Sequence, residues 1–243
     1  MKIYSGDDLQ SYMYTDWIGD MLERYVTEEE REVRTQEWLS TMDNKRMIYA
    51  DMYGDLLKKK DCNLRVLDVG GGYNALTKVL AKNCSYTLLD FDAHGKSDVP
   101  SGRTNSIERL ARLHEVKFIN GDWYEQTFDG DFDIVIANDL FPDVDQRLEL
   151  FIERYIKRCK EMRLLLTFYN TPRFYMTKRV DDTEILTFLS WDGEITAMKL
   201  KKYIKFFIDT DEEQLNEILY TTESVYRNRR QCVYLRLKGM RLN

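Results

Sequence analysis

Residues 64–92, LRVLDVGGGYNALTKVLAKNCSYTLLDFD, decide the fold. An apolar run leads into three consecutive glycines, and a segment with helical spacing then leads to a second apolar run that ends at Asp90. The predicted order is strand, tight turn, helix, strand. Because glycine lacks a Cβ atom, it adopts positive φ readily and lets backbone N–H groups approach a ligand at the start of a helix. The stretch therefore predicts a ligand-binding turn, with Asp90 as a carboxylate able to accept both hydroxyls of a ribose.

These residues resemble motif I of the class I S-adenosylmethionine (SAM)-dependent methyltransferases, in which Asp-x-Gly-x-Gly is followed by an acid that ends the second strand. Here the motif reads Asp68-Val69-Gly70-Gly71-Gly72, then Asp90. Asn74 stands where a third glycine is usual, a mild departure because asparagine tolerates the left-handed conformation. The same glycines, with Ala75, also satisfy the nicotinamide-binding spelling G-x-G-x-x-A. The glycines alone leave both cofactor classes open.

Later segments extend the predicted sheet. Apolar runs at 116–119, 132–137 and 163–168 predict a third, fourth and fifth strand, and alternating runs at 224–226 and 232–237 predict a terminal antiparallel hairpin. Such a hairpin is characteristic of the methyltransferase sheet, whereas nicotinamide domains normally lack it. The resemblance thus implies an α/β fold: a Rossmann-like, doubly wound, seven-stranded sheet, mostly parallel with a C-terminal antiparallel hairpin, plus N-terminal helices.

The predicted domain organisation is an N-terminal helical lid at 1–60 and a SAM-dependent methyltransferase domain at 61–243. An insertion at about 173–209 has no clear periodicity, and a place after the fifth strand would let it overhang the reaction crevice. Its basic run at 199–205 is either a recognition site for a phosphorylated acceptor or a solvated face.

The N-terminal segment shows apolar residues at helical spacing. In the resembled family, helices in this position often cover the cofactor. Arg46, Tyr49 and Tyr53 are therefore candidates to contact the methionine carboxylate or the substrate, with packing as the alternative. The charged stretch 28–34 is predicted to be a solvated helix surface.

The resemblance also assigns a cofactor site. Asp122 matches the acid that accepts a hydrogen bond from the adenine amino group, and Trp123 matches the neighbour that packs against the ring; a turn with a core tryptophan is the alternative. Asn138 is assigned to the methionine amino end of S-adenosyl-L-methionine, whose product is S-adenosyl-L-homocysteine (SAH). The predicted cofactor-binding residues are Asp68, Gly70, Gly71, Gly72, Asp90, Phe91, Asp122, Trp123 and Asn138.

The stretch 138–145, NDLFPDVD, follows the fourth strand, at the edge where doubly wound sheets bind ligands. Methyl transfer from a sulfonium is an in-line displacement, so the protein holds the acceptor and, for a hydroxyl, removes its proton. Asp139 is the predicted base. Asp143 is a predicted N-cap and Asp145 a first-turn acid of the next helix. Asp139 and Leu140 replace the prolines of the Asn/Asp-Pro-Pro-Tyr/Phe pattern, which argues against base methylation.

Two other features bear on metal binding and on catalysis by histidine. Asp139 and Asn170 match part of the Mg²⁺ set of some small-molecule O-methyltransferases, but the second acid after the fifth strand is missing, so no metal site is predicted. His94 lies in a loop beyond the second strand and shows no partner in the sequence, so it is not assigned a catalytic role.

Composition limits the class of partner. The 243 residues suit one large domain, and 43% hydrophobic with 32% charged residues indicates a globular protein. A net charge of −6 gives no general attraction to nucleic-acid phosphates, so nucleic acid is not an expected partner. No apolar run approaches the roughly 18 residues of a membrane span. Residues 1–17 have acids where a secretory apolar core would lie, so we expect a cytoplasmic protein, and four widely spaced cysteines suggest reduced thiols. The expected partner is a small-molecule substrate, as the resemblance implies.

Asp68 ahead of the glycines, the later acids and the hairpin together favour SAM over a nicotinamide. The predicted function is methyl transfer to a small polar acceptor, a hydroxyl of a sugar or phosphorylated precursor in surface-glycan biosynthesis. The sequence of residues 138–148 is similar to that found in uncharacterised methyltransferases of bacterial capsular-polysaccharide gene clusters. An amine acceptor on a small molecule, protein or RNA, and a non-catalytic SAM-binding module, stay open as alternatives.

Overall fold

The computed structural model describes residues 1–91, 107–141, 143–178, 185–221 and 223–241. Short 3-10 helices lie at Ile156–Arg158 and Lys201–Phe206. The other elements, in chain order, are β1 (Lys2–Ile3), α1 (Gly6–Met13), α2 (Trp17–Tyr25), α3 (Glu28–Arg31), α4 (Arg34–Thr41), α5 (Asp43–Lys58), β2 (Arg65–Val69), α6 (Thr77–Asn83), β3 (Ser85–Asp90), α7 (Ile107–Leu113), β4 (Lys117–Asn120), β5 (Phe132–Phe141), α8 (Arg147–Tyr155), β6 (Cys159–Phe168), β7 (Arg173–Lys178), β8 (Ile185–Ser190), α9 (Gly193–Leu200), α10 (Glu212–Tyr220) and β9 (Gln231–Lys238).

Within the described residues, seven strands form one sheet in the order β1-β9-β6-β5-β2-β3-β4. Parallel pairing joins β2 to β3, β3 to β4 and β5 to β6, whereas β9 is antiparallel to both β6 and β1. Most of β2 and β6 is buried, as expected for strands covered on both faces. The predicted seven-stranded, mostly parallel α/β fold with N-terminal helices is confirmed.

The partner of the last strand differs from the predicted hairpin. Residues 224–226 form a turn, in which the Ser224 hydroxyl donates to the Arg230 carbonyl and accepts from the Tyr226 N–H at 3.0 Å. A serine side chain that bonds to nearby backbone in this way competes with a strand ladder. Strand β1 pairs with β9 instead, so the antiparallel edge is built from strands more than two hundred residues apart in the sequence.

One compact unit comprises Gln10–Phe128. It contains β2, β3 and β4 with the helices α2 to α7, and α5 packs on both α2 and α6. Its core side chains are apolar and fully excluded from solvent; they include Ile18, Met52, Leu56, Val66, Leu67, Leu80, Leu88 and Leu110.

The charged stretch 28–34 is not simply a solvated surface, and that prediction is wrong for Glu30. This side chain is 0% exposed, and each of its carboxylate oxygens lies 2.9 Å from Lys78 Nζ. The Tyr73 hydroxyl donates to Oε1 at 3.3 Å, and His114 Nε2 lies 3.5 Å from the same oxygen. A charge can be buried when it is paired and hydrogen-bonded, and the sequence does not show where the pairing partner will lie.

The second compact unit comprises Met1–Leu9 and the described residues from Asp129 onward. Its strands β1, β9, β6 and β5 are accompanied by α8, α9 and α10. The segment without clear periodicity forms an antiparallel pair, β7 and β8, followed by α9. Asp192 starts α9, because its carboxylate accepts from the Ile195 N–H at 2.9 Å.

Two observations concern the described residues as a whole. None of their helices combines the length and apolar character required to span a membrane. The four cysteines are buried free thiols, as predicted.

Candidate functional site

The turn after β2 depends on its glycines, as the motif predicts. Gly70 and Gly72 both have φ of +69°, a left-handed conformation that favours glycine. Gly71 faces the Asp68 carboxylate, and a Cβ atom there would overlap with it. A Cβ atom on Gly72 would overlap with the Thr35 methyl group. We call Asp68 together with residues 70–72 the glycine corner.

Asp68 is a buried carboxylate, and one of its oxygens has no hydrogen-bond partner among the described residues. Its side chain is 2% exposed, and Oδ2 accepts from the hydroxyls of Tyr53 at 2.9 Å and Tyr86 at 2.5 Å. No hydrogen-bond donor among the described residues reaches Oδ1. Burial raises the pKa of Asp68 to about 7, against the opposing effect of the two tyrosine hydroxyls. The atom Oδ1 is therefore positioned to accept from a ligand, and a cationic donor would stabilise the ionised form.

Asp90 ends β3 beside the same turn. Its Oδ2 accepts from the Gly72 N–H at 3.0 Å and its Oδ1 from the Phe91 N–H at 2.7 Å. These bonds fix the orientation of the carboxylate. The corner thus offers a fixed acid suited to a ribose.

Asp122 and Trp123 follow β4 and lie next to the end of β3, because the Gly121 N–H donates to the Asp90 carbonyl at 3.1 Å. Asp122 Oδ1 accepts from the Tyr124 N–H at 2.7 Å and so closes its own turn. Trp123 is half-buried and meets the Tyr124 ring edge-on at 5.7 Å. The alternative of a core tryptophan is therefore wrong.

Helix α4 contacts the glycine corner through residues that the sequence did not single out. The Thr35 hydroxyl donates to the Tyr73 carbonyl, and Gln36 Oε1 accepts from the Ala75 N–H at 2.7 Å. Gln36 is 1% exposed. The only sequence signal was the i, i+3 spacing of Gln36 with Leu39 on the buried face of α4.

The three candidates on α5 have different partners. Tyr53 belongs to the corner through its bond to Asp68, and Tyr49 stacks on Tyr53 with ring centroids 4.2 Å apart. Arg46 instead uses its Nε to bind both carboxylate oxygens of Asp16 at 3.0 Å. The contacts of Arg46 thus hold helices together and do not involve the corner.

Asn74 does not use the left-handed conformation that its place in the motif suggested. Its side-chain oxygen accepts from the Leu76 N–H at 2.9 Å, and its backbone N–H donates to Thr77 Oγ1 at 3.1 Å. The asparagine side chain therefore closes a turn just before α6, which a glycine could not do.

Asn138 and Asp139 lie in the other unit, at an irregularity of β5. The strand continues beyond the predicted end at Ala137, and its register with β6 shifts between Ala137 and Phe141. Asp139 has φ of +61°, which is rare for a residue with a side chain. Strained backbone of this kind tends to occur at functional sites. Both side chains are half-buried, and the Asp139 charge acts together with burial to raise the pKa of Tyr226.

Asp143 is not the N-cap of α8, and that prediction is wrong. Its Oδ2 accepts from the Tyr175 hydroxyl at 2.6 Å, and its Oδ1 lies 3.3 Å from Arg230 Nε. Asp145 lies two residues before α8 and not in its first turn as predicted, and its Oδ1 accepts from the N–H of Arg147, the first helical residue, at 2.8 Å. Asp145 also binds the Arg147 guanidinium, with Oδ2 2.7 Å from Nη2.

Much of the basic run at 199–205 is compensated by acids. Lys199 and Lys202 both bind Glu149, at 2.9 and 2.6 Å, and Lys201 binds Glu212 at 2.9 Å. These lysines are therefore engaged in ion pairs on the protein surface.

Asn170 and His94 are the remaining candidates for metal binding or proton transfer. Asn170 Nδ2 donates to the Thr221 carbonyl at 3.4 Å. No group of three or more histidine, cysteine or acidic side chains in the described part of the chain is arranged to hold a metal ion. His94 lies outside the described residues.

No protein-family model matches the sequence, and no curated protein is a match. Among solved structures, DhpI in complex with SAH is 17% identical, with 92% of this chain and 98% of that chain covered, at a TM-score of 0.46. Coclaurine N-methyltransferase bound to N-methylheliamine and SAH is 16% identical, with coverage of 96% and 95% and a TM-score of 0.44. The N-methyltransferase NodS from Bradyrhizobium japonicum WM9 in complex with SAH is 14% identical, with coverage of 90% and 97% and a TM-score of 0.45. The fold assignment itself is carried by the strand order and pairing of this chain.

Proposed function

We propose that this protein is a SAM-dependent methyltransferase that acts on a small polar acceptor. The glycine corner carries the proposal, because it combines two left-handed glycines, a buried acid with an unused oxygen and a fixed acid at the end of the next strand. The antiparallel strand β9 beside β6 also supports a methyltransferase-like sheet over a nicotinamide domain.

The residues of the corner fit this cofactor. Asp90 accepts the ribose hydroxyls, and Asp68 Oδ1 accepts from the cationic amino end. Asp122 and Trp123 serve the adenine, with Phe91 beside Asp90, and Asn138 serves the methionine end. When bound, the cofactor supplies an electrophilic methyl group on a sulfonium.

Asp139 is the proposed base. A carboxylate can accept the proton of an acceptor hydroxyl, which raises the nucleophilicity of the oxygen as transfer proceeds. Its strained φ of +61° and its half-buried side chain support the assignment. The proposed domain division keeps residues 1–60 as a lid over the cofactor, with the Thr35 and Gln36 bonds to the turn in its favour.

The acceptor in this proposal is a hydroxyl of a sugar or phosphorylated precursor in surface-glycan biosynthesis. Support comes from the similarity of 138–148 to capsular-cluster methyltransferases and from the absence of the base-methylating pattern. A cytoplasmic reaction is part of the proposal and agrees with four cysteines that are free thiols.

Isothermal titration with SAM and, separately, with NAD tests the cofactor class. We expect binding of SAM and none of NAD. Labelled SAM would then be incubated with pools of sugar nucleotides, phosphorylated metabolites, small amines and RNA. Label in the sugar or phosphorylated pool supports the proposal, label in an amine or RNA overturns the acceptor class, and SAM binding without transfer to any pool favours a binding module. Binding of NAD in place of SAM would refute the proposal altogether.

A further inference from the structure

A cavity of about 400 Å³ lies in the unit that contains β5 and β7. It has the size of a small-molecule site. The residues lining it are Asp143, Tyr169, Arg173, Phe174 and Tyr175. None of these residues belongs to the proposed cofactor site or is the proposed base.

Arg173 provides the cation of this cavity. Its guanidinium carbon lies 3.4 Å from the centroid of the Tyr169 ring, so the group lies over an aromatic face. No acid in the described part of the chain forms an ion pair with it. The neighbouring arginines differ, because Arg147 is paired with Asp145 and Arg230 with Asp143. Among the described residues, Arg173 is therefore a cation of this cavity without an acidic partner.

The acid in the lining does not cancel that charge. Asp143 already faces Arg230 at 3.3 Å and accepts from the Tyr175 hydroxyl at 2.6 Å. Burial and then the bond to Asp143 raise the pKa of Tyr175, so this hydroxyl stays protonated and neutral. Because Arg230 outside the lining balances the Asp143 charge and Tyr175 is neutral, these two lining residues add no net negative charge, and an anion can enter beside them.

We infer that this cavity binds a small acceptor through an oxyanion, a carboxylate or a phosphate, which Arg173 holds with its planar donors. Guanidinium matches the geometry of both groups, and stacking on Tyr169 reduces the conformational freedom lost on binding. Phe174, which is 70% exposed, supplies an apolar surface for the rest of the ligand. That the bound molecule is a methyl acceptor rests on the proposed function, whereas the oxyanion site itself does not depend on it.

The test is isothermal titration without SAM, using glucose 1-phosphate, glucuronate and glucose as probes. We expect both anions to bind and glucose to give no heat, with the tighter anion showing whether phosphate or carboxylate is preferred. Arg173→Met keeps an apolar side chain over Tyr169 but removes the donors, and should weaken anion binding by about tenfold or more. Arg24→Met, which removes an exposed cation on α2 outside the lining, is the matched control and should bind as the wild type does.

Three results would refute the oxyanion site. The site is overturned if neither anion binds, if glucose binds as well as the anions, or if Arg173→Met and Arg24→Met behave alike. A separate SAM titration distinguishes the two proposals. Binding of SAM without anion binding retains the methyltransferase and rejects the site, whereas Arg173-dependent anion binding without SAM binding does the reverse.

Discussion

The buried ion pair between Glu30 and Lys78 gives the sharpest expectation for stability. Glu30 is 0% exposed and Lys78 is 8% exposed, and Nζ lies 2.9 Å from both carboxylate oxygens. The Thr27 N–H also donates to Glu30 at 2.9 Å. Glu30→Gln retains an oxygen that can accept from Thr27, so the substitution mainly removes the negative charge and leaves the lysine buried and uncompensated.

Removal of one partner of a buried pair costs about 3–5 kcal/mol, because the remaining charge has lost both water and its counter-charge. Folded domains have only about 5–15 kcal/mol of stability, so Glu30→Gln should remove a large fraction of it. Lys78→Met should also destabilise the fold, because the buried Glu30 carboxylate keeps its hydrogen bonds from Thr27 and Tyr73 but loses the lysine charge that balances it. The double variant Glu30→Gln/Lys78→Met contains no unpaired charge and should be clearly more stable than either single variant.

Urea denaturation followed by circular dichroism measures the four free energies of unfolding of this cycle. Glu108→Gln is the control, because it breaks an exposed pair with Arg112 at 3.0 Å and should cost less than about 1 kcal/mol. If the single variants lose no more than the control, or if their losses simply add in the double variant, the reasoning about a coupled buried pair is wrong.

Three further expectations follow from particular contacts. The folded state raises the pKa of Asp68 from 3.8 to about 7, so its protonated form is favoured and the free energy of unfolding should fall as pH rises between these values; Asp68→Asn should flatten that slope in urea denaturation, and an unchanged slope would contradict the assignment. Asp139→Asn should slow methyl transfer by about 10²–10⁴-fold while the SAM dissociation constant stays nearly constant, and normal turnover would exclude Asp139 as the base. Gln231 is 0% exposed and its side-chain amide has no hydrogen-bond partner among the described residues, so Gln231→Met should raise the free energy of unfolding by about 1 kcal/mol; a loss of stability in the same denaturation assay would show that the amide is satisfied.

The part of the fold that could be predicted is the part fixed by local chemistry. Strand β2, the turn and β3 follow from apolar runs and from glycines that adopt positive φ, which the structure confirms at Gly70 and Gly72. The ends of these strands, at Val69 and Asp90, needed no knowledge of distant residues. The roles assigned to Asp90, Asp122 and Asn138 stay predictions.

The features that could not be predicted depend on partners far along the chain. Glu30 looks like a surface acid until Lys78, 48 residues later, is brought to it. Asp143 looks like a helix cap until Tyr175, 32 residues later, donates to it. The hydrophobic pattern of one segment predicts which of its residues are buried. It does not predict which charged group or hydroxyl from a distant segment will contact them. For the same reason, no pattern pointed to Gln36 as a hydrogen-bond acceptor for the turn.

The pairing of β1 with β9 has a consequence for synthesis on the ribosome. Lys2 and Ile3 leave the exit tunnel long before Tyr234 and Val233, with which they pair. The nascent chain must therefore keep β1 available while more than two hundred residues emerge, and the ladder closes only after translation of β9. Until then the edge of β6 that β9 will cover is unpaired, and β1 afterwards covers the outer edge of β9. Aggregation during expression should therefore respond to changes at Lys2 and Ile3.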